Sequence, residues 1–146
     1  MASGARNESD APDAVGGRGA GRSEALPRGA RIASPLVFRE AYGQSEGYAA
    51  QSVVLWPRRG PGAATRLGVV AAKRTFPTAV QRARAKRLIR EAFRRCRYLL
   101  ATDVDLVIIA RRRILETSVD HVRRDLMQLA RRLRLTSSRD DRGGTA

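Results

Sequence analysis

The stretch from Val80 to Arg97 constrains this chain most strongly, because its apolar and basic residues segregate at helical spacing. At about 100° of rotation per residue, the apolar side chains fall on one arc of a helix and the basic side chains on another. The apolar arc contains Ala85, Leu88, Ile89, Ala92, Phe93 and Cys96, and the basic arc contains Lys86, Arg87, Arg90, Arg94 and Arg97. The pattern predicts a helix, running to about Leu99, that packs on a core and presents guanidinium groups to solvent.

The positive charge is concentrated in the part of the chain that is expected to fold. The formal net charge is +15, but residues 1–30 and 136–146 each sum to zero, so the whole excess lies in 31–135. Between 57 and 98, thirteen Arg or Lys residues stand against one acid, Glu91. Since Arg can bind two phosphate oxygens at once, we expect the folded surface to bind nucleic acid. The alternative is a charge that serves solubility or attraction to a membrane surface.

Other classes of protein fit the composition poorly. The single cysteine, Cys96, cannot form an internal disulfide, and with the single histidine, His121, it cannot build a Cys/His zinc site. Cys96 is expected in the core and His121 at the surface or in a helix cap. The longest apolar run, Leu106–Ala110, is too short to span a bilayer, and no secretory signal is visible. We therefore expect a cytoplasmic protein with no membrane contact and no small-molecule substrate.

One domain is predicted over 31–135, between two disordered tails at 1–30 and 136–146. The first tail has almost no large apolar residue and cannot bury enough surface to become ordered. Its Gly16–Gly19 segment, Gly-Gly-Arg-Gly, could have weak affinity for RNA, although a plain linker is the favoured interpretation. The domain is predicted to be a small α/β sandwich with the element order α-β-β-α-β-α.

Capping residues and turns indicate where these elements begin and end. Ser34 and Pro35 predict the start of a short helix that ends at Gly43, and Thr78 with Gln81 fits a capping box for the basic helix. Thr117 or Ser118 should cap the last helix. Strands are predicted at 49–56, 66–73 and 104–111, the first two as an antiparallel hairpin around a turn at 57–62 and the third buried on both faces.

No catalytic residue and no metal ligand is predicted in the protein. A protein nuclease needs a base, a nucleophile or a metal cage, and the basic region is nearly free of carboxylates. Asp103 and Asp105 form the only close acidic pair near it and could hold Mg²⁺, but capping of the strand entry is favoured. No glycine loop of the phosphate-binding kind is present. The sequence favours a binding subunit over an enzyme that acts alone.

Three segments together resemble the protein subunit of bacterial ribonuclease P. They are Leu67–Arg74 (LGVVAAKR), Ala79–Phe93 (AVQRARAKRLIREAF) and Asp105–Arg111 (DLVIIAR). The family has a strand ending in Ser-Lys-Lys, then Arg-Asn-Arg-x-Lys-Arg-x-x-Arg-Glu, then a strand of the form Asp-Leu-Val-x-x-Ala-Arg. The similarity covers about 32–134, and the spacing of the basic residues combined with both strands makes it specific.

The sequence departs from the family pattern at three places. Ala83 stands where the family has the asparagine of Arg-Asn-Arg, and Ala72 replaces the serine before the paired basic residues. The link Thr75–Thr78 is one residue longer than its Gly-containing counterpart. These departures concern the start of the basic helix and leave its charged band intact.

The resemblance implies the protein component of an RNA-based endonuclease. The RNA subunit, with bound Mg²⁺, would hydrolyse the phosphodiester between the 5′ leader and precursor tRNA, and the metal would be held mainly by RNA and substrate. The partners would be ribonuclease P RNA and precursor tRNA. The resemblance also implies that the basic helix joins two parallel strands by a left-handed crossover, against the usual right-handed rule.

Two groups of site residues follow from the resemblance. The RNA-binding residues would be Arg82, Arg84, Lys86, Arg87 and Arg90, with Lys73 and Arg74 near the cleft. A cleft for the single-stranded leader would contain Phe38, Tyr42 and Trp56. Aromatic rings can stack on bases of any sequence, but the same rings could be ordinary core residues. A ribosomal or other structural RNA-binding protein with no role in cleavage is the alternative function.

Overall fold

The computed structural model describes residues 26–137 of the 146-residue chain. Within this range three α-helices and four strands form the fold. The helices are α1 (Pro35–Gln44), α2 (Ala79–Cys96) and α3 (Val119–Arg132), and the strands are β1 (Tyr48–Ala49), β2 (Val53–Arg58), β3 (Leu67–Val70) and β4 (Asp105–Ala110). Short 3-10 turns occur at Arg28–Ala30, Arg97–Leu99 and Arg112–Glu116. The predicted α/β class is confirmed, with one more strand than the sequence indicated.

Part of the predicted N-terminal tail belongs to the described fold. Ala30 is buried, and Leu26 packs against the main hydrophobic core. At the other end, Thr136 forms a bridge with Leu100, and the N–H of Ser137 donates to the carbonyl of Leu99 at 2.8 Å. The remainder of the predicted tails, 1–25 with Gly16–Gly19 and 138–146, lies outside the described residues. No helix among the described residues is long and apolar enough to cross a membrane.

The predicted hairpin between 49–56 and 66–73 is wrong, because β4 lies between the two strands. The strand order is β1-β2-β4-β3, with β2 antiparallel and β3 parallel to β4. After Asp105, the strand sequence LVIIA is apolar on both faces, so it is most stable in the centre of a sheet, where both faces are covered. All of its residues except Ile109 are buried, which confirms the predicted burial on both faces.

The single strand expected over 49–56 is divided into β1 and β2 by a tight turn. The N–H of Ala50 donates to the carbonyl of Val53 at 2.9 Å. Ser52 is buried in this turn and donates both its N–H (3.0 Å) and its hydroxyl (2.6 Å) to Oδ2 of Asp125 in α3. The turn thus depends on a carboxylate that is distant in sequence, which local propensity could not reveal. β2 also continues through Pro57 to Arg58.

The predicted helix caps are present. Ser34 Oγ accepts from the N–H of Leu36 at 3.2 Å, although α1 continues one residue past Gly43. Thr78 and Gln81 form the complete capping box of α2. Of the two candidates for α3, Ser118 is the cap. These local signals were sufficient to locate the helix starts because each involves contacts within three residues.

The two faces of the sheet are covered unequally. α2 and α3 pack on one face, where the apolar arc of α2 is buried as predicted, Cys96 included. α1 packs on the other face with a small cluster formed by Ile32, Ala41 and Val107. The parallel strands β3 and β4 are joined through α2, as the resemblance implied, and the left hand of that crossover stays a prediction. The face under α1 is the one left partly open.

Candidate nucleic-acid interface

The loop before α2 is held in place by two arginines. Arg82 Nη1 donates to the carbonyls of Phe76 (2.8 Å) and Pro77 (3.3 Å). Arg112 Nη1 donates to the carbonyl of Thr75 at 3.0 Å. Phe76 itself is fully buried and anchors the loop to the core. Arg82, predicted as an RNA contact, therefore also fixes the N-terminal entry of α2, and the bracing role of Arg112 was not visible in the sequence.

The exposed side of the N-terminal half of α2 forms what we call the basic face. Its members lie three or four residues apart and share one side of the helix: Val80, Ala83, Arg84 and Arg87. Val80 is 78% exposed and Ala83 is also exposed, so the two arginines project from a surface of small side chains. Such a surface allows the backbone of a polyanion to approach the helix closely.

The other predicted RNA-binding residues flank this face. Lys73 and Arg74 are exposed, whereas Arg82, Lys86 and Arg90 are half-buried. Six of the seven predicted residues thus lie in the N-terminal half of α2 or in the segment that leads to it, and Arg90 lies one turn further along the helix.

The C-terminal half of α2 differs because it contains an acid. Glu91 pairs with Arg94 and also accepts from Arg95 Nε at 3.1 Å. Hydrogen bonding from Arg94 lowers the pKa of Glu91 against the opposing effect of burial, with a further contribution from Arg95. The ionised carboxylate partly neutralises both arginines. The N-terminal half of α2 therefore has four basic residues and no acid, whereas the C-terminal half has three basic residues and Glu91.

The three predicted cleft aromatics meet on the side of the sheet covered by α1. Trp56, Val107 and Gly68 are paired neighbours on β2, β4 and β3 and point to the same side. Phe38 of α1 lies directly over Gly68, where an added Cβ would come within 2.7 Å of Cζ of the ring. Tyr42 meets Trp56 edge to face, with ring centroids 5.0 Å apart. We call this group and its floor the aromatic cleft.

Glycines set the depth of the aromatic cleft. Gly47 has φ of 79°, and a Cβ there would lie 2.7 Å from Cε2 of Trp56. Phe38 and Trp56 are half-buried, while Tyr42 is 38% exposed and burial raises the pKa of its hydroxyl. The rings are therefore both packed and accessible. Two residues further along each strand, on the same side of the sheet, three paired side chains are only half-buried and extend the floor of the cleft: Val54, Ile109 and Val70.

Basic residues stand at the open end of this floor. Because β3 and β4 are parallel, their C-terminal ends lie at the same end of the sheet, and the residues that follow the two strands are neighbours there. Lys73 and Arg74 follow β3, and Arg111 follows β4, donating Nη1 to the carbonyl of Ala50 at 2.7 Å. All three are exposed. Arg111 was not among the predicted site residues, because its position beside Lys73 depends on the parallel pairing.

A buried ion cluster attaches α1 to the sheet at the closed end of the cleft. Asp105 accepts from Arg58 Nη1 (2.8 Å) and Arg66 Nη2 (2.7 Å), and from the N–H groups of Ala64 and Arg66 (both 3.1 Å). Arg58 also donates Nε to Glu40 of α1 at 2.8 Å. Asp105 therefore caps the entry of β4. Among residues 26–137 no group of three or more His, Cys, Asp or Glu could hold a metal ion.

The ion cluster predicts a loss of stability in acid. Burial opposes ionisation of Asp105, but hydrogen bonds from Arg66, from the two N–H groups and from Arg58 outweigh it, so its pKa lies below the ordinary value. A carboxyl whose pKa is lower folded than unfolded stabilises the fold fully above the unfolded pKa. We expect the free energy of unfolding to fall from about pH 5 downwards. Urea denaturation at several pH values measures this. In Asp105→Asn the free energy of unfolding should fall less steeply as the pH is lowered below about 5. If the free energy of unfolding falls equally steeply with pH in both proteins, groups other than Asp105 cause the loss of stability in acid.

Comparison with known proteins agrees with this geometry. The family model described as Ribonuclease P matches residues 26–134, nearly all of the described fold. The chain belongs to the ribonuclease P protein family. Ribonuclease P is the ribonucleoprotein endoribonuclease of tRNA processing. Membership of this protein family therefore implies an RNA partner and a tRNA substrate.

Individual relatives give the same result. The ribonuclease P protein component of Desulfovibrio desulfuricans is 34% identical over 112 residues, covering 74% of this chain and 85% of the relative. That of Thioalkalivibrio sulfidiphilus is also 34% identical, over 60% of this chain and 72% of the relative. The structure of the Staphylococcus aureus RNase P protein superposes with a TM-score of 0.62 at 22% identity, covering 74% of this chain and 98% of that one. The Thermotoga maritima protein gives 0.60 at 24%, covering 70% and 96%. The structural matches support the fold.

Two departures from the ribonuclease P pattern have clear positions in the structure. Ala83 lies on the basic face and is exposed, so no core contact compensates for the missing asparagine. Ala72 sits between β3 and the loop, and its carbonyl accepts from the N–H groups of Thr75 (3.1 Å) and Phe76 (2.9 Å). The backbone of the lengthened link is therefore organised without the family serine.

Proposed function

We propose that this chain acts as the protein component of ribonuclease P by binding two RNA elements on two separate surfaces. The basic face of α2 binds the catalytic RNA subunit, and the aromatic cleft holds the 5′ leader of precursor tRNA. The observation that supports this division is the separation of the surfaces. One is a charged helix side with small residues, and the other is a half-open apolar groove with cations at one end.

The basic face has the chemistry of a phosphate contact. Arg84 and Arg87 are exposed and one helical turn apart, so both can reach the backbone of one RNA strand. Their contacts release counterions, which makes binding favourable and dependent on salt. Arg82 contributes by fixing the start of the helix, which sets the angle at which the face meets RNA.

The aromatic cleft has the chemistry of a single-strand site. Tyr42 offers an accessible ring, and the half-buried row Val54–Ile109–Val70 offers an apolar floor for further bases. Lys73, Arg74 and Arg111 lie where the phosphates of a strand leaving this floor would pass. Stacking is tolerant of sequence because every base has a π-face, and this property suits leaders that differ between tRNAs.

The chemical step belongs in this proposal to the RNA subunit. Mg²⁺ is held mainly by that RNA and the substrate, and endonucleolytic hydrolysis releases the leader. The protein lowers the repulsion between RNA phosphates that extra Mg²⁺ would otherwise screen, and the complex works in the cytoplasm. Cleavage of precursor tRNA by the RNA subunit at low Mg²⁺, with and without the protein, tests this function. A structural RNA-binding protein would bind without changing the rate.

The cleft predicts a difference between precursor and mature tRNA. Tyr42→Ala removes an accessible stacking ring, which should weaken binding of precursor tRNA to the complex by about 5- to 150-fold, or roughly 1–3 kcal/mol. Mature tRNA, which lacks the leader, should bind as before. Equilibrium binding of the two RNAs to the reconstituted complex measures this.

A matched control is Leu36→Ala on the same helix, where the side chain is 55% exposed and lies outside the cleft. It should leave both affinities unchanged. If Tyr42→Ala folds with the normal thermal midpoint yet weakens both RNAs equally, the ring is a packing residue and the leader binds elsewhere.

A further inference from the structure

A second groove lies at the opposite end of α2, away from both surfaces described above. It has a cavity volume of about 790 Å³ and runs between the end of α2, the segment before the first 3-10 turn and the loop before β3. Its lining includes Pro27, Thr65, Arg97, Tyr98 and Thr102. A volume of this size exceeds what one nucleotide occupies, and the groove is open to solvent.

Tyr98 presents its ring in this groove. It is 63% exposed, the most exposed aromatic residue among residues 26–137. It lies in the 3-10 turn Arg97–Leu99, whose neighbours Cys96 and Leu100 are buried in the core. The backbone beneath the ring is therefore fixed while most of the ring faces solvent. An exposed ring on a rigid turn can stack on a base with little loss of conformational entropy.

Arg97 stands beside this ring in a fixed orientation. Its Nε donates to the carbonyl of Thr65 at 3.1 Å, which aligns the guanidinium and leaves the terminal amino groups for an anion. Arg28, exposed, directly follows Pro27 at the rim. Arg94 and Arg95 also line the groove but are partly neutralised by Glu91. Among residues 26–137 the lining of the groove contains three arginines and no acid.

We propose that this groove binds a segment of single-stranded RNA, with a base stacked on Tyr98 and the adjoining phosphate bound by Arg97. An exposed ring beside an oriented guanidinium is the combination that single-strand binding requires, and it suits RNA better than an apolar protein segment. Arg94, the first residue of α2 that lines the groove, lies about 15 Å along the helix axis from Arg84. One chain can therefore contact RNA at three places: the basic face, the aromatic cleft and this groove.

Fluorine NMR tests the proposal directly, because the chain has only three tyrosines. The full chain is labelled with 3-fluorotyrosine, and Tyr98→Phe assigns the Tyr98 resonance. Titration with the single-stranded pentamer of uridylate should shift that resonance in a saturable way. Arg97→Gln should raise the midpoint of this shift by about 10-fold or more, the usual effect of losing a hydrogen bond to a charged group.

The matched control is Arg132→Gln, which removes the same charge from an exposed position on α3. It should change the Tyr98 midpoint by less than about 2-fold, as expected for a distant charge screened by salt. A Tyr98 resonance that does not move at saturating pentamer would overturn the proposal, as would equal effects of the two arginine variants. Either result leaves the proposed role in cleavage standing, because Arg84 and Tyr42 are not involved.

Discussion

Replacing Asp105 by Ala should cost this fold about 3–5 kcal/mol, the usual result of removing one partner from a buried ion pair. Arg58 would remain, with a side chain only 4% exposed and no carboxylate on the β4 side. Arg66 would lose the same partner, and the N–H groups of Ala64 and Arg66 would lose their acceptor. Urea denaturation of the free protein measures the change in the free energy of unfolding.

Asp103→Ala is the natural control for this substitution. Asp103 lies two residues earlier and pairs with Arg59 at 3.2 Å, but its side chain is 75% exposed. A pair of this kind contributes about 0–1 kcal/mol. Asp105→Asn, which keeps an acceptor but loses the charge, should fall between the two. Similar stabilities for Asp105→Ala and Asp103→Ala would show that the cluster contributes little to the fold.

The double substitution Arg84→Ala/Arg87→Ala should have the largest effect on RNA binding. Removing two charge-assisted hydrogen bonds corresponds to roughly 3–6 kcal/mol, or about 10²- to 10⁴-fold in affinity for the RNA subunit. The slope of log affinity against log salt should fall by about 2, one unit for each phosphate that the protein no longer neutralises. Binding of the RNA subunit over a series of salt concentrations measures both quantities.

Arg94→Ala/Arg95→Ala tests whether position or charge alone matters. It removes two charges from the same helix, but Glu91 already neutralises part of that charge. We expect a much smaller loss of affinity and a slope close to that of the unmodified protein, because in the groove the proposed RNA contacts are made by Arg97 and Tyr98 and not by these two arginines. Equal slopes for the two double variants would mean that the RNA subunit responds to total charge and not to the basic face.

The sequence was most informative where contacts are local. The caps of α1, α2 and α3 involve residues within three positions of each other, and the apolar arc of α2 is fully buried as its spacing predicts. The pairing of strands was missed because it depends on which strand tolerates burial on both faces. The sequence of β4 shows this property, and a strand of that kind is most stable between two others, here β2 and β3.

The long-range polar contacts were also beyond local inference. Ser52 meets Asp125 across 73 residues, and Arg58 meets Asp105 across 47. Nothing in the neighbourhood of either residue signals its partner, although a buried arginine at the end of a strand of otherwise apolar residues is an indication of buried pairing. The cleft aromatics were found through the resemblance, and the structure added the glycines beneath them and Arg111 beside them.

The rate of leader release at low Mg²⁺ tests the proposed function most directly. The purified full chain is added to ribonuclease P RNA and precursor tRNA at a Mg²⁺ concentration where the RNA alone is nearly inactive. We predict that the protein restores cleavage at the 5′ end of the mature tRNA and that the protein without RNA releases no leader. An unchanged rate in the presence of tightly bound protein, or sustained cleavage by protein free of RNA, would contradict this function.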